Sequence, residues 1–173
     1  IPTDVGPMKE TTDSLNHKVI SIENKIIPSD KELQHLANLL NSYEKITILV
    51  GWGARGATSE IVELAEKLKA PIIHSLKGKA VIDHNHDHWA GGIGMLGSPC
   101  GVHAMHDCDV LLMLGTDFPY RQFYPKGKKI AQVDIAPERL GKRCGLSLGV
   151  MGDVKSTVEA LLPSIKDNAY EKF

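Results

Sequence analysis

The chain has 173 residues, of which 42% are apolar and 24% charged, with a formal net charge of -1. Those totals suit a single globular domain with a short appendage. They exclude the basic footprint of a nucleic-acid binder, and no apolar stretch approaches the ~20 residues that cross a bilayer. Cys100, Cys108 and Cys144 are odd in number and lack C-x-x-C spacing. That pattern argues against a disulfide framework or a zinc knuckle and for a reducing compartment. No basic-then-apolar leader is present, and the first residue is Ile rather than Met, as expected of a piece of a longer chain.

Residues 1–28 show no sustained period and are dotted with Pro, Gly, Asp, Thr and Asn. They read as an interdomain connector carrying a short edge strand at Val19–Ile22. Ser29-Asp30-Lys31-Glu32 then matches a helix capping box, with Leu33, Leu36, Ala37 and Leu40 on one face. The β-branched run Ile46–Val50 predicts a strand, followed by Gly51-Trp52-Gly53-Ala54-Arg55-Gly56 and a helix with Ile61, Leu64, Ala65 and Leu68 in register. Pro71–Ser75 predicts a short strand. Residues 77–97, rich in Gly and His, are the least regular stretch. Ser98-Pro99 opens a helix to about Asp107. Val110–Gly115 is too apolar to be exposed and too short for a buried helix, so it suits a strand covered on both faces. Strands follow at Lys129–Ile135 and Leu146–Met151, and Asp153 caps a last helix that Pro163 stops. Residues 29–163 thus form the domain, and residues 164–173 a second connector. Strand and helix alternate with short links, which predicts an α/β fold: a parallel sheet of five or six strands with helices on both faces.

In such sheets, ligands sit just outside the carboxyl ends of the strands. Two segments fall there with suitable chemistry. One is Thr116-Asp117-Phe118-Pro119-Tyr120, where the apolar strand stops abruptly. The other is Asp134, whose carboxylate can either accept hydrogen bonds from ribose or ribityl hydroxyls or form the turn before Pro137. Gly51 and Gly53 belong to a G-x-G-x-x-G pattern in the required strand–turn–helix context, and Arg55, Lys77, Lys79 and Arg121 could neutralise phosphates. The acidic residue expected about 20 positions after that turn is missing, since the next strand ends His74-Ser75. The turn could equally be Gly-rich for positive φ alone. Asp83-His84-Asn85-His86-Asp87-His88 places histidines at alternate positions, but so polar a run predicts a solvated loop and no metal site. No nucleophile–base pair is apparent.

Taken together, ILVGWGARG, KAPIIHSLKGKAV, GGIGMLGSPCGVHAMHDCDVLLMLGTDFPYRQFYP, KIAQVDIAPERLGKR and VMGDVKSTVEALLP resemble the central domain of the thiamine-diphosphate-dependent enzymes. The FPYR-x-FYP element points to the pyruvate oxidase and quinone-linked pyruvate dehydrogenase branch. The resemblance implies a Rossmann-like domain that holds FAD in a parent enzyme oxidising pyruvate and passing electrons to quinone or oxygen. Its contacts would be Gly51, Gly53, Lys77, Ile93, Gly94, Met95, Leu96, the 116–120 segment and Asp134. Where relatives often carry threonine and arginine, this chain has Ile93 and Lys77, and Asp117 adds negative charge near an anionic cofactor. Thiamine diphosphate and Mg²⁺ would lie in other domains, because Gly152-Asp153-Val154 is not the family's GDG motif. By itself the chain would therefore have no catalytic residues, would be inactive and would hold FAD weakly. The resemblance further implies flanking domains of the same chain, a homotetrameric parent and a cytoplasmic location, with any membrane attachment resting on the far C-terminus. The alternative is a structural or ADP-binding middle domain, without flavin, of a decarboxylase or an acetolactate synthase-like carboligase.

Overall fold

The computed structural model describes residues 25–170 together with residues 4, 7 and 8. The expected edge strand at Val19–Ile22 lies outside the described residues. Helix α1 (Asp30–Asn41) begins as its capping box requires, with Ser29 Oγ accepting from the Glu32 N–H and Glu32 Oε2 accepting from the Ser29 N–H at 2.9 Å. The chain continues through β1 (Ile46–Val50), α2 (Thr58–Leu68), β2 (Ile72–His74), β3 (Trp89–Gly92) and α3 (Pro99–Asp107). It ends with β4 (Val110–Leu114), β5 (Lys129–Asp134), β6 (Leu148–Met151) and α4 (Val154–Leu161). The side chains of Ser98 and Asp153 cap α3 and α4.

The six strands form one sheet in the order β3-β2-β1-β4-β5-β6, and every neighbouring pair is parallel. Order reverses between β1 and β4, so this is a doubly wound sheet. Because side chains alternate across a strand, its two faces feed two separate cores. Ile46, Ile48, Val50, Leu112 and Val133 pack with α1, α2 and α4, while Leu49, Ile73, Leu111 and Met113 pack with α3, Phe118 and Tyr124. That double coverage explains why Val110–Leu114 is apolar at every position and buried throughout. The one polar residue inside β1, Thr47, is satisfied by donating from Oγ1 to the Ala104 carbonyl at 2.6 Å.

The sixth strand is β3, within the stretch that shows no period in sequence. Its glycines are there for space. A Cβ on Gly91, whose φ is +102°, would fall 2.2 Å from Ser98 Oγ, and one on Gly92 would fall 3.0 Å from the His74 ring. Other boundaries shift by one or two residues, as strand and helix ends commonly do. β2 is Ile72–His74 rather than Pro71–Ser75, β5 stops at Asp134 and β6 begins at Leu148. No helix among the described residues is long and apolar enough to cross a membrane.

Leu112 is fully buried at the centre of the sheet. Leu112→Ala is expected to lower unfolding free energy by about 2–5 kcal/mol, through lost transfer energy and the cavity left behind, as measured by urea denaturation.

Candidate functional site

Parallel pairing brings all six strand C-termini to one edge of the sheet, and the expected site residues gather there. Gly115 N–H donates to the Val133 carbonyl at 2.9 Å, which sets the 116–120 turn beside Asp134 at the same end. The glycines of the first turn have an immediate structural task. Gly51 N–H donates to the Leu114 carbonyl and Gly53 N–H to the Gly115 carbonyl, both at 3.0 Å. A Cβ on Gly51 would lie 2.4 Å from Thr116 Cβ, and one on Gly115 (φ +62°) would lie 2.4 Å from the Gly53 carbonyl carbon. The close approach these glycines permit is thus between the exits of β1 and β4, at the reversal point of the sheet.

Asp134 forms the turn its position suggested and keeps one oxygen unused. It is 3% exposed, its Oδ1 accepts from the Ala136 N–H at 3.0 Å, and its Oδ2 is buried with no partner. Burial pushes its carboxyl pKa up, opposed by the Ala136 N–H and Arg139 and reinforced by Asp117 and Glu138. The charge of Asp117, expected to repel an anionic ligand, is compensated: Arg143 Nη2 lies 3.6 Å from its Oδ2. Two members of the expected contact set are core residues instead. Ile93 and Phe118 are 4% and 1% exposed, and the Phe118 ring sits among Tyr120, Phe123 and Tyr124. Their backbones are engaged as well: Ile93 N–H donates to the His74 carbonyl at 3.0 Å, and the Phe118 carbonyl accepts from the Tyr124 hydroxyl at 2.7 Å. Met95 and Leu96, by contrast, are strongly exposed, and the Tyr120 ring lies against Gly94. Lys77 and Pro119 are exposed on the same edge.

Sequence reasoning missed Gln132. Its buried side chain donates to the Thr116 carbonyl at 3.0 Å and the Arg139 carbonyl at 3.2 Å, and accepts from the Gly141 N–H at 3.0 Å. It thereby ties the exit of β4 to the loop after β5. The signal was a lone amide within an otherwise apolar buried strand, which must find partners. Also missed was the apolar rim. Among the described residues, every exposed large apolar side chain except Met8 and Ile27 ends or follows a strand at this edge. They are Trp52 after β1, Leu76 after β2, Met95 and Leu96 after β3, Tyr120 after β4, Ile135 after β5 and Met151 at the end of β6.

The histidine-rich stretch 83–88 forms a succession of turns, and the rings of His84, Trp89 and His74 cluster with His84 4.9 Å from Trp89 and 6.0 Å from His74, and His74 6.3 Å from Trp89. Among the described residues no group of three or more His, Cys, Asp or Glu is arranged to hold a metal. The Cys108 thiol is pushed up to about 11 by burial, which suits packing and not nucleophilic chemistry. An open groove of about 760 Å³ lies elsewhere, between β3, α3 and the 168–170 segment, and shares no residue with the strand-end set.

A doubly wound sheet with small-residue turns, an orphaned carboxylate oxygen and an apolar rim at its carboxyl edge makes that edge the candidate ligand site. The family model for the thiamine pyrophosphate enzyme central domain matches residues 33–161, and the chain belongs to that family. It is 51% identical over 146 residues to an uncharacterized 42.6 kDa protein of Pseudomonas amyloderamosa, covering 83% of this chain and 37% of that one. An acetolactate synthase large subunit of Cyanidium caldarium is 30% identical, covering 96% of this chain and 31% of that one. Pyruvate oxidase of Lactiplantibacillus plantarum is 25% identical, with 81% and 24% covered. A solved enzyme structure from Mycobacterium smegmatis, assigned to the thiamin diphosphate-dependent class, shares the fold with a TM-score of 0.73 at 23% identity, covering 90% of this chain and 31% of that one. The chain spans about a quarter to a third of the length of these proteins. The resemblance to the superfamily is therefore shown. Its narrowing to the pyruvate oxidase branch is not, since carboligases and oxidases both match the same residues.

Because burial raises the Asp134 pKa, its contribution to folding is greatest below the ordinary carboxylate range and is lost as pH rises through the raised value. Asparagine keeps the Ala136 contact and cannot ionise. Asp134→Asn should gain stability relative to the wild type between about pH 3 and about pH 7, as measured by urea denaturation at both.

Proposed function

We propose that this chain is the adenine-nucleotide-binding middle domain of a thiamine-diphosphate-dependent carboligase or decarboxylase of the acetolactate synthase type. The observation that carries the reading is the unpartnered, buried Oδ2 of Asp134 at the carboxyl edge. A buried acceptor without a donor is costly, and a ribose hydroxyl is a donor of the right size to satisfy it. Similarity to an acetolactate synthase over nearly the whole chain supports the class of parent.

In the parent enzyme, thiamine diphosphate supplies the carbanion chemistry on a 2-oxo acid, and no residue of this chain is assigned to that step. The residues here bind and orient. Asp134 accepts from the ribose, while Thr116, held by Gln132 through its carbonyl, shapes the adjoining turn. Lys77 offers an exposed cation to phosphate as a point charge. Asp117, paired with Arg143, adds little net repulsion. Met95, Leu96 and Tyr120 exclude water from the apolar side of the site.

A second reading, FAD in a pyruvate oxidase-type parent, draws support from that same apolar group, which offers a surface for a flavin ring beyond what ADP needs. The two are separated by spectrum and titration. The parent enzyme is expected to purify colourless, and ADP should raise its unfolding midpoint, with Asp134→Ala weakening ADP binding about tenfold or more. Stoichiometric flavin absorbance would instead favour the oxidase reading. A protein indifferent to both ligands would leave the domain a structural spacer.

A further inference from the structure

After β2 ends at His74, residues 79–88 contain no helix or strand, and the chain returns at Trp89, the first residue of the edge strand β3. The first part of this excursion is anchored in the core: Val81 and Ile82 are buried, and Thr58 Oγ1 donates to the Val81 carbonyl at 2.6 Å. Residues 83–88 are polar throughout, and their attachments run through imidazoles. His84 Nε2–H donates to the Lys79 carbonyl and His88 Nδ1–H to the Ala70 carbonyl, both at 3.1 Å, since a carbonyl can only accept. His86 works in the opposite sense: its Nδ1 accepts from the His88 N–H at 3.3 Å. The His88 carbonyl in turn accepts from the Ile72 N–H at 2.7 Å, where β3 begins to pair with β2.

Positive charge here would find no relief. The rings of His74 and His84 lie 6.0 Å apart and those of His86 and His88 5.8 Å apart, each pair within 28° of parallel. Burial holds the His74 pKa below the ordinary histidine value, with His84 and Lys79 adding to that shift and the Ser75 carbonyl opposing it. The other neighbours of His74 carry no charge: Val50 on β1, and Gly92 and Trp89 on β3. Asp83 spends its Oδ1 on the Asn85 N–H and side-chain amide, and the groove beside His88 adds Lys69, Asp87, His103 and Asp107. Among the described residues no carboxylate lies within ion-pair distance of any of the four rings.

We propose that these four histidines form a proton-operated latch on one edge of the sheet, closed while uncharged and opened by acidification, which frees residues 83–88 and unpairs the start of β3. A proton on His86 Nδ1 turns the acceptor of the His88 N–H into a second donor, and the turn that presents the His88 carbonyl to Ile72 loses its support. A second proton on either ring pair sets two cations side by side with no carboxylate between them. For His74 the sign follows from burial: its contribution to folding is present above the ordinary histidine value and is lost as pH falls through its own lowered value. His74 Nδ1–H and His84 Nε2–H also hold the carbonyls at the two ends of the 75–79 turn, so opening reaches Leu76 and Lys77. The latch does not depend on which ligand the domain takes.

Hydrogen exchange of the full-length parent, read by mass spectrometry at about pH 8 and about pH 5.5 and corrected for the intrinsic pH dependence of exchange, tests the latch. Amides of residues 83–89 are expected to exchange about tenfold faster or more at the lower pH, reversibly, while those of β1 and β4 keep their protection. Asparagine places an uncharged amide where Nδ1 stands, so His86→Asn keeps an acceptor for the His88 N–H and His74→Asn keeps a donor for the Ser75 carbonyl. His86→Asn should remove at least half of the acceleration, and His74→Asn with His86→Asn should abolish it. An excursion that exchanges equally at both pH values would overturn the proposal, as would the same acceleration in the double variant. Equal loss of protection in β1 and β4 would mark general acid unfolding and overturn it too. If His74→Asn does not fold, His86→Asn alone decides, and an undiminished response there defeats the latch.

Discussion

Contact between the exits of β1 and β4 is the constraint on which the rest of the carboxyl edge depends. Two parallel strands from the two halves of the sheet meet there, and their backbones approach more closely than side chains allow. Gly51, Gly53 and Gly115 are each required by the other's position, because a Cβ at any of them would overlap the opposing turn. Once these turns are locked, the 116–120 segment has one place to go, and Phe118 anchors it in the core beneath. A G-x-G turn in this chain is thus a packing device between the exits of β1 and β4.

Polar groups inside this edge are connected rather than scattered. Gln132 spends both ends of its amide on backbone groups of two different loops, which gives those loops a common reference inside the sheet. Asp117 and Arg143 pair across the same region, and Arg143 Nε and Asp134 Oδ2 are left buried without partners. Unsatisfied groups of this kind are uncommon in folded proteins. The same edge keeps Trp52, Leu76, Met95 and Leu96 exposed.

Much of the architecture was legible in sequence because the governing signals are local. Caps at Ser29, Ser98 and Asp153, the 3.6-residue spacing of Leu33 to Leu40, and the unbroken apolar run at Val110–Leu114 each follow from chemistry within a few residues. The alternation of elements then leaves few topologies open. What local reading could not find was β3, since Gly91 and Gly92 carry no strand preference and are strand residues only because Ser98 and His74 crowd them. Nor could it separate Ile93 and Phe118, which face inward, from Met95 and Leu96, which face out within the same two segments.

The sequence by itself determined the class of fold, the family and the positions of the strand-end turns, because periodicity, capping and turn chemistry act over short distances along the chain. Only the tertiary structure decided which groups at those turns are spent and which are free. Gly51 faces Thr116, Asp117 is paired with Arg143, and Asp134 keeps one oxygen unclaimed, all through contacts between residues far apart in sequence. Hydrogen-bond satisfaction is a property of the assembled neighbourhood, and no stretch of chain read alone contains it.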